Sequence, residues 1–280
     1  MNRNTLDTIY QDALKLVDNK NIFERDILFL MEDEFNITRN DILINSNKEY
    51  FIGDFRKKLD RLVKGEPIEY ILNKAYFYKR FYYVNENTLI PRNETEELVE
   101  KTIFYLNKYN IVSPRIADIG SGSGCIAITL GLEVKECKID SFDISPMALD
   151  VAKVNNERLS ANVSFYESDC LKEAIAMNKK YDLIISNPPY IDRDTYVQES
   201  VKKYEPELAL YADNHGLAIY EKIFKEIPSC TKEKCLIALE ISPDLVERLS
   251  DVATIYLKEY KFWFEKDIND LIRFMFLLKE

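Results

Sequence analysis

Ser186-Asn187-Pro188-Pro189-Tyr190 is a stretch that packing alone does not demand. Two adjacent prolines remove two backbone donors and fix two φ angles, so the segment is stiff and its carbonyls are not absorbed into a helix. Asn187 brings a side-chain oxygen and Pro188 a carbonyl, a pair of acceptors at fixed separation. Such a pair suits a planar NH2 group, with Tyr190 free to lie against a flat amide or base. An amide or aromatic amine nitrogen has a delocalised lone pair and is a poor nucleophile. Hydrogen bonds from both of its N–H groups raise the electron density on nitrogen, and they strengthen as positive charge develops in the transition state. The electrophile must then be activated in advance, as a sulfonium methyl is, and held in line at about 3–3.5 Å. That chemistry requires no metal.

A glycine cluster is the second such stretch. Of seven glycines in the chain, Gly120, Gly122 and Gly124 fall within five residues. They follow the apolar run ending Asp118-Ile119 and precede the helical pattern CIAITLG, at the carboxyl end of an expected strand, where α/β sheets bind ligands. A tight strand-to-helix turn with no ligand is the plain alternative. Gly122-Ser123-Gly124-Cys125-Ile126-Ala127 also satisfies the GxGxxA form of the dinucleotide fingerprint, which keeps a dehydrogenase open. The next strand ends in Phe142-Asp143-Ile144-Ser145, and Asp143 is placed to accept hydrogen bonds from ribose hydroxyls, of NAD or of S-adenosylmethionine alike. Asp169, after the third strand, is expected beside an adenine or in a solvated turn.

These segments need a scaffold, and the remaining sequence supplies one. The 280 residues suggest two domains, and 46% hydrophobic with 31% charged residues provides for a core. The net charge of −10 argues against a broad grip on a phosphate backbone. A single histidine, His215, excludes multi-histidine zinc sites, and five cysteines without a CxxC pair fit a reducing, cytoplasmic compartment. No signal peptide or membrane-spanning run is evident. Leu6, Ile9, Tyr10, Ala13, Leu14 and Val17 recur at helical spacing, and residues 1–74 read as a helical bundle. The aromatic and β-branched residues 75–90 read as a β-hairpin linker. From residue 91 to 280, strands are expected at 115–119, 138–143, 162–167, 181–186, 235–241, 253–258 and 271–278, mostly separated by helices, which predicts a mostly parallel α/β sheet covered on both faces.

DIGSGSGCIAI, FDIS and SNPPY together resemble class I S-adenosylmethionine (SAM) dependent methyltransferases acting on planar nitrogens. More residues narrow this. Gly65-Glu66-Pro67-Ile68-Glu69-Tyr70, Leu89-Ile90-Pro91-Arg92-Asn93-Glu94-Thr95-Glu96, Glu205-Pro206-Glu207-Leu208-Ala209-Leu210, Asp213-Asn214-His215-Gly216-Leu217, and Lys266-Asp267 with Arg273 resemble the release factor glutamine methyltransferase family, HemK/PrmC. The likeness runs from about residue 65 onward. Relatives usually carry glycine near Asn73 and Asp270, a second proline at Asn93 and a larger residue at Cys170.

The resemblance implies a Rossmann-like, seven-stranded methyltransferase domain behind an N-terminal bundle. It also implies transfer of a methyl group from SAM to N5 of the glutamine in the GGQ motif of peptide chain release factors. Asn187, Pro188 and Tyr190 would act on the amide, with Pro189 completing the substrate site. Gly120, Ser121, Gly122, Ser123, Gly124, Asp143, Asp169, Cys170 and Asn187 would hold the cofactor. The bundle would dock the release factor, and its basic run of Arg56, Lys57, Lys58, Arg61 and Lys64 reads either as a surface for an acidic partner or as a solvated helix face. No direct nucleic-acid contact and a monomer are expected. Adenine-N6 methylation of DNA or RNA, and SAM-dependent scaffolding without catalysis, are the rival readings.

Overall fold

In a computed structural model, which describes residues 3–17 and 22–280, the chain forms two compact units. Ala75–Gln198 and Glu205–Glu280 make one, and the described residues up to Lys74 together with Glu199–Tyr204 make the other. Residues 1, 2 and 18–21 of the expected bundle lie outside the described residues.

The smaller unit comprises β1 (Arg3–Thr5), α1 (Leu6–Val17), α2 (Glu24–Phe35), α3 (Arg39–Ile44), β2 (Glu49–Phe51), α4 (Gly53–Val63) and α5 (Ile68–Leu72). Helix α1 buries Leu6, Ile9, Ala13 and Val17, the stripe its periodicity predicts. Helix α3 begins at a reciprocal cap. Thr38 Oγ1 accepts from Asp41 N at 3.3 Å and the Asp41 carboxylate accepts from Thr38 N at 2.8 Å. The pairing of β1 with β2 as an antiparallel ribbon was not expected, because strands of three residues are too short to show alternation. In the basic run, Lys57 pairs with Asp54, Lys58 with Glu34 and Arg61 with Glu66, so these charges are largely answered within the unit.

The larger unit opens with the hairpin β3 (Ala75–Phe77) and β4 (Arg80–Tyr82), whose buried Tyr82 hydroxyl meets Thr129 Oγ1 at 2.8 Å. There follow α6 (Asn93–Lys108), β5 (Arg115–Ile119), α7 (Cys125–Glu133), β6 (Lys138–Asp143), α8 (Pro146–Arg158), β7 (Val163–Glu167), α9 (Lys172–Ala176) and β8 (Tyr181–Ser186). After α10 (Glu199–Tyr204), which belongs to the smaller unit, come the short helix α11 (Glu207–Leu210), α12 (Ala218–Glu226), β9 (Thr231–Glu240), α13 (Val246–Tyr256), β10 (Tyr260–Lys266) and β11 (Ile272–Lys279).

The seven strands of the main sheet run in the order β10-β11-β9-β8-β5-β6-β7, with β11 antiparallel to both neighbours. Side chains alternate between its faces. Ala117, Ile119 and Ile184 join a core with Tyr220, Ile223 and Leu249 from α12 and α13. Ile116, Leu183 and Ile185 join another with Leu98, Val99 and Ile128 from α6 and α7. One strand assignment is corrected. Residues 253–258 are not a strand, since α13 runs to Tyr256, and the seventh strand is Tyr260–Lys266. The β-branched residues of ATIYLK favour a strand locally, but Leu249, Val252 and Ala253 bury at helical spacing, and packing overrides the propensity. Asn73 and Asp270, where glycine is usual in the resembled family, have φ of 51° and 65°, which Asn and Asp tolerate.

Candidate active site

The strand order reverses between β5 and β8. Their neighbouring C-terminal ends therefore leave a crevice, the usual ligand position in such sheets. The loop after β5 is Gly120–Gly124 and the loop after β8 is Asn187–Tyr190. A cavity of about 320 Å³ opens between them, lined also by the ends of β6 and β7 and by residues 86–89, 91 and 92.

The glycine loop is held from below. Gly120 N and Ser121 N both donate to Phe142 O, at 2.8 and 3.1 Å. Gly120 and Gly122 have φ of 82° and 50° and line the cavity. Gly124 does not line it. A Cβ there would lie 2.8 Å from Ile128 Cδ1 and 3.2 Å from Ala152 Cβ, so this glycine lets α7 close against α8. Ser121 reaches the cavity wall, but its hydroxyl is engaged with Ser141 Oγ at 2.6 Å, and Ser141 in turn donates to Asp118 at 2.7 Å. Ser123 is fixed through its carbonyl, which accepts from Asn155 Nδ2 at 2.9 Å.

Asp143 faces the cavity with its carboxylate braced by two backbone donors, Gly122 N on Oδ2 and Ser145 N on Oδ1, each at 2.9 Å. Burial raises its pKa, against those N–H groups. Asp169 and Cys170 also line the cavity. Burial pushes the Asp169 carboxyl up, but Lys172 and Lys222 outweigh it and hold the group below the ordinary range. Burial pushes the Cys170 thiol up to about 12, so it is no nucleophile at neutral pH.

Asn187, Pro188 and Pro189 line the opposite wall. Asn187 Nδ2 donates to Thr95 Oγ1 at 2.9 Å, and Thr95 Oγ1 donates to Glu240 Oε2 at 2.7 Å. Tyr190 is not part of the cavity lining. Its ring packs against the core, and burial pushes its phenol up to about 12, with Glu240 adding to this and Arg273 opposing it. Gly216 backs this loop closely: a Cβ there would lie 2.2 Å from Tyr190 O. His215 lies outside the cavity, exposed and paired with Asp192.

Three contributors went unassigned as site residues. Thr95 and Glu240 support Asn187, and Glu205 accepts from Ile90 N at 3.2 Å and from Arg92 Nη2 at 2.6 Å, securing the loop over the cavity. A carboxylate ending the apolar run CLIALE was the available signal for Glu240. Among the described residues no group of three or more His, Cys, Asp or Glu is arranged to hold a metal ion, and no helix is long and apolar enough to cross a membrane.

The antiparallel β11 between β9 and β10 departs from the dinucleotide-binding order and sets the dehydrogenase alternative aside. Sheet order, glycine loop and proline-locked acceptors define a class I methyltransferase fold. A family model described as "Methyltransferase small domain" matches residues 101–204. A methyltransferase from Pyrococcus furiosus shares the fold with TM-score 0.54 at 14% identity, over 80% of this chain and 99% of that one. The release factor glutamine methyltransferase of Staphylococcus aureus is 36% identical over 263 residues, 92% of this chain and 93% of its own. That of Bacillus subtilis is 38% identical over 222 residues, 77% and 76% of the two chains. The chain belongs to the release factor glutamine methyltransferase family.

Proposed function

We propose that this chain transfers the methyl group of SAM to the N5 amide nitrogen of the glutamine in the GGQ motif of peptide chain release factors. The observation that carries the reading is the state of Asn187. Its NH2 group is committed to Thr95, which leaves its oxygen as an acceptor beside the glycine loop. Together with the Pro188 carbonyl, that oxygen suits the two N–H donors of a carboxamide.

The residues present fit the cofactor. Gly120 and Gly122 offer backbone without side chains, and Asp143 is braced so that its remaining lone pairs can take ribose hydroxyls. Ile144 and Cys170 give an apolar wall for a base, with Asp169 at its edge. When bound, SAM supplies an electrophilic methyl on a sulfonium. Asn187 and Pro188 orient the amide nitrogen toward it and strengthen their hydrogen bonds as that nitrogen becomes positive; its proton then passes to solvent. Pro189 in the cavity wall confines the amide plane, while Tyr190, packed against the core, anchors the loop from behind. The smaller unit docks the body of the release factor. The enzyme acts as a monomer in the cytoplasm, without direct contact to nucleic acid.

The test is incubation with methyl-labelled SAM and purified release factor, wild type and with its GGQ glutamine replaced, followed by peptide mass analysis. Label confined to that glutamine is expected. Label appearing only in an added oligonucleotide would transfer the site to adenine-N6 chemistry.

A further inference from the structure

An asparagine amide presents either an oxygen or an NH2 group, and the two differ by a half-turn about one bond. For a donor such as a carboxamide N–H, only the oxygen serves. Something must therefore fix which end of Asn187 faces the cavity.

The structure places a hydrogen-bond chain behind it. Asn187 Nδ2 lies 2.9 Å from Thr95 Oγ1, which lies 2.7 Å from Glu240 Oε2. Thr95 on α6 is 3% exposed and Glu240 at the end of β9 is 2% exposed, so bulk water does not compete for either. An ionised carboxylate only accepts. The Thr95 hydroxyl must then donate to Glu240, which leaves its oxygen lone pairs to accept, and the one Asn187 group able to donate is its NH2. The direction of each bond follows from the charge at the far end.

We propose that Thr95 and Glu240 are positioning residues that lock the Asn187 amide with its oxygen toward the substrate, and that a proton on Glu240 reverses the chain and turns that oxygen away. A protonated Glu240 donates to Thr95 Oγ1. The threonine hydroxyl is then free to donate to Asn187 Oδ1, and the amide presents NH2, which repels a carboxamide N–H. No covalent bond changes; one proton exchanges with solvent.

The surroundings poise Glu240 for this role. Burial raises its carboxyl to about 7, with the Thr95 hydroxyl, Arg273 of β11 and Arg92 pulling it down and Glu94 of α6 pushing it up. Tyr190, after β8, lies within electrostatic reach of it, and Tyr220 of α12 donates to its backbone carbonyl at 2.7 Å. The sign follows: the competent state is the ionised one, so methyl transfer rises with pH through about 7 and levels above it.

The inference rests on Asn187 being the amide acceptor, and the experiment separates the two. Single-turnover methyl transfer to release factor is measured from pH 5.5 to 8.5 for wild type, Thr95→Val, Thr95→Ser, Glu240→Gln and Asn187→Ala, with thermal melting of each. The wild-type rate should climb about tenfold per pH unit below 7. Thr95→Val should lose roughly 30- to 100-fold in rate with little change in KM for release factor, and Thr95→Ser should recover to within about threefold. Glu240→Gln, which can donate or accept at any pH, should flatten the limb. A folded Thr95→Val with wild-type rate, or a limb that persists in Glu240→Gln, overturns the chain while leaving the function intact if Asn187→Ala is dead. Should Glu240→Gln fail to melt cooperatively, the wild-type profile and the Thr95 pair decide alone. Wild type that labels no glutamine at any pH sinks both readings.

Discussion

The loops after β5 and β8 sit side by side and achieve fixed shape by opposite means. The glycine loop removes side chains, so that backbone with φ above zero can approach a ligand. The NPPY loop removes N–H groups, so that its carbonyls stay unclaimed. Each also has a buried carboxyl raised to about 7, Asp118 beneath the first and Glu240 behind the second. There the likeness stops. The contacts of Asp118 end in the hydroxyls of Ser141 and Ser121, which are bonded to each other rather than aimed into the cavity, whereas those of Glu240 end on the Asn187 amide in the cavity wall. A binding loop needs permissive backbone, while a catalytic loop needs its polar atoms aimed.

The sharpest break of that contrast is Asn187→Ala, which removes the aimed acceptor. It should lower the methyl-transfer rate by about 10²–10³, or roughly 2.7–4 kcal/mol of transition-state stabilisation, with SAM affinity by calorimetry changed far less. Wild-type turnover in this variant would remove the distinction between the loops. Next in size, Gly124→Ala should destabilise more than Gly122→Ala. Both residues have positive φ, worth roughly 1–2 kcal/mol against a Cβ. A Cβ added at Gly124 would also lie within 3.2 Å of Ile128 and Ala152 side-chain atoms, whereas one added at Gly122 would meet nothing within 4 Å, so denaturant unfolding should separate the two by about 1 kcal/mol or more. Equal midpoints would mean that the α7–α8 contact yields freely.

The effect that leaves catalysis unchanged concerns the buried Asp118. Burial raises its pKa to about 7 against the Ser141 hydroxyl, above the unfolded value of 3.8. Its stabilising contribution is therefore full below about pH 4 and is lost as pH rises through 7. Asp118→Asn escapes that loss. Its stability relative to wild type should grow by up to about 1.4 kcal/mol per pH unit between pH 5 and 7 and then level, in unfolding titrations at several pH values. A gap independent of pH would show that Asp118 is ionised throughout. The pH limb of catalysis should be untouched, because the Asp118 contacts do not reach the cavity acceptor.

How much of this was legible in the sequence depends on whether the signal was local. Strands β5, β6, β7 and β8 announce themselves as short apolar runs, and both loops lie in contiguous motifs. Strand β10, YKFWFEK, did not, because as an edge strand it buries only Tyr260 fully and lacks a continuous apolar run. Its place was given to ATIYLK, where helix packing outweighs β-branching. Asn187 and Asp143 could be named from their neighbours. Thr95 and Glu240 could not be joined to Asn187, since 92 and 145 residues separate the bonded pairs and only the folded sheet brings them together. Ser121 and Gly124 carried the right motif, yet the fold turns one hydroxyl inward and gives the other residue to helix contact.

Gly216 carries one more consequence. With Tyr190 O where the methyl of an alanine would have to go, a lone hydrogen atom is all that fits behind the NPPY loop. Divergence around the pocket is thereby uneven. Neighbouring side chains can drift and adjust their rotamers, but this position has no smaller alternative and no rotamer to change, so a single added carbon there would press on the NPPY loop from behind.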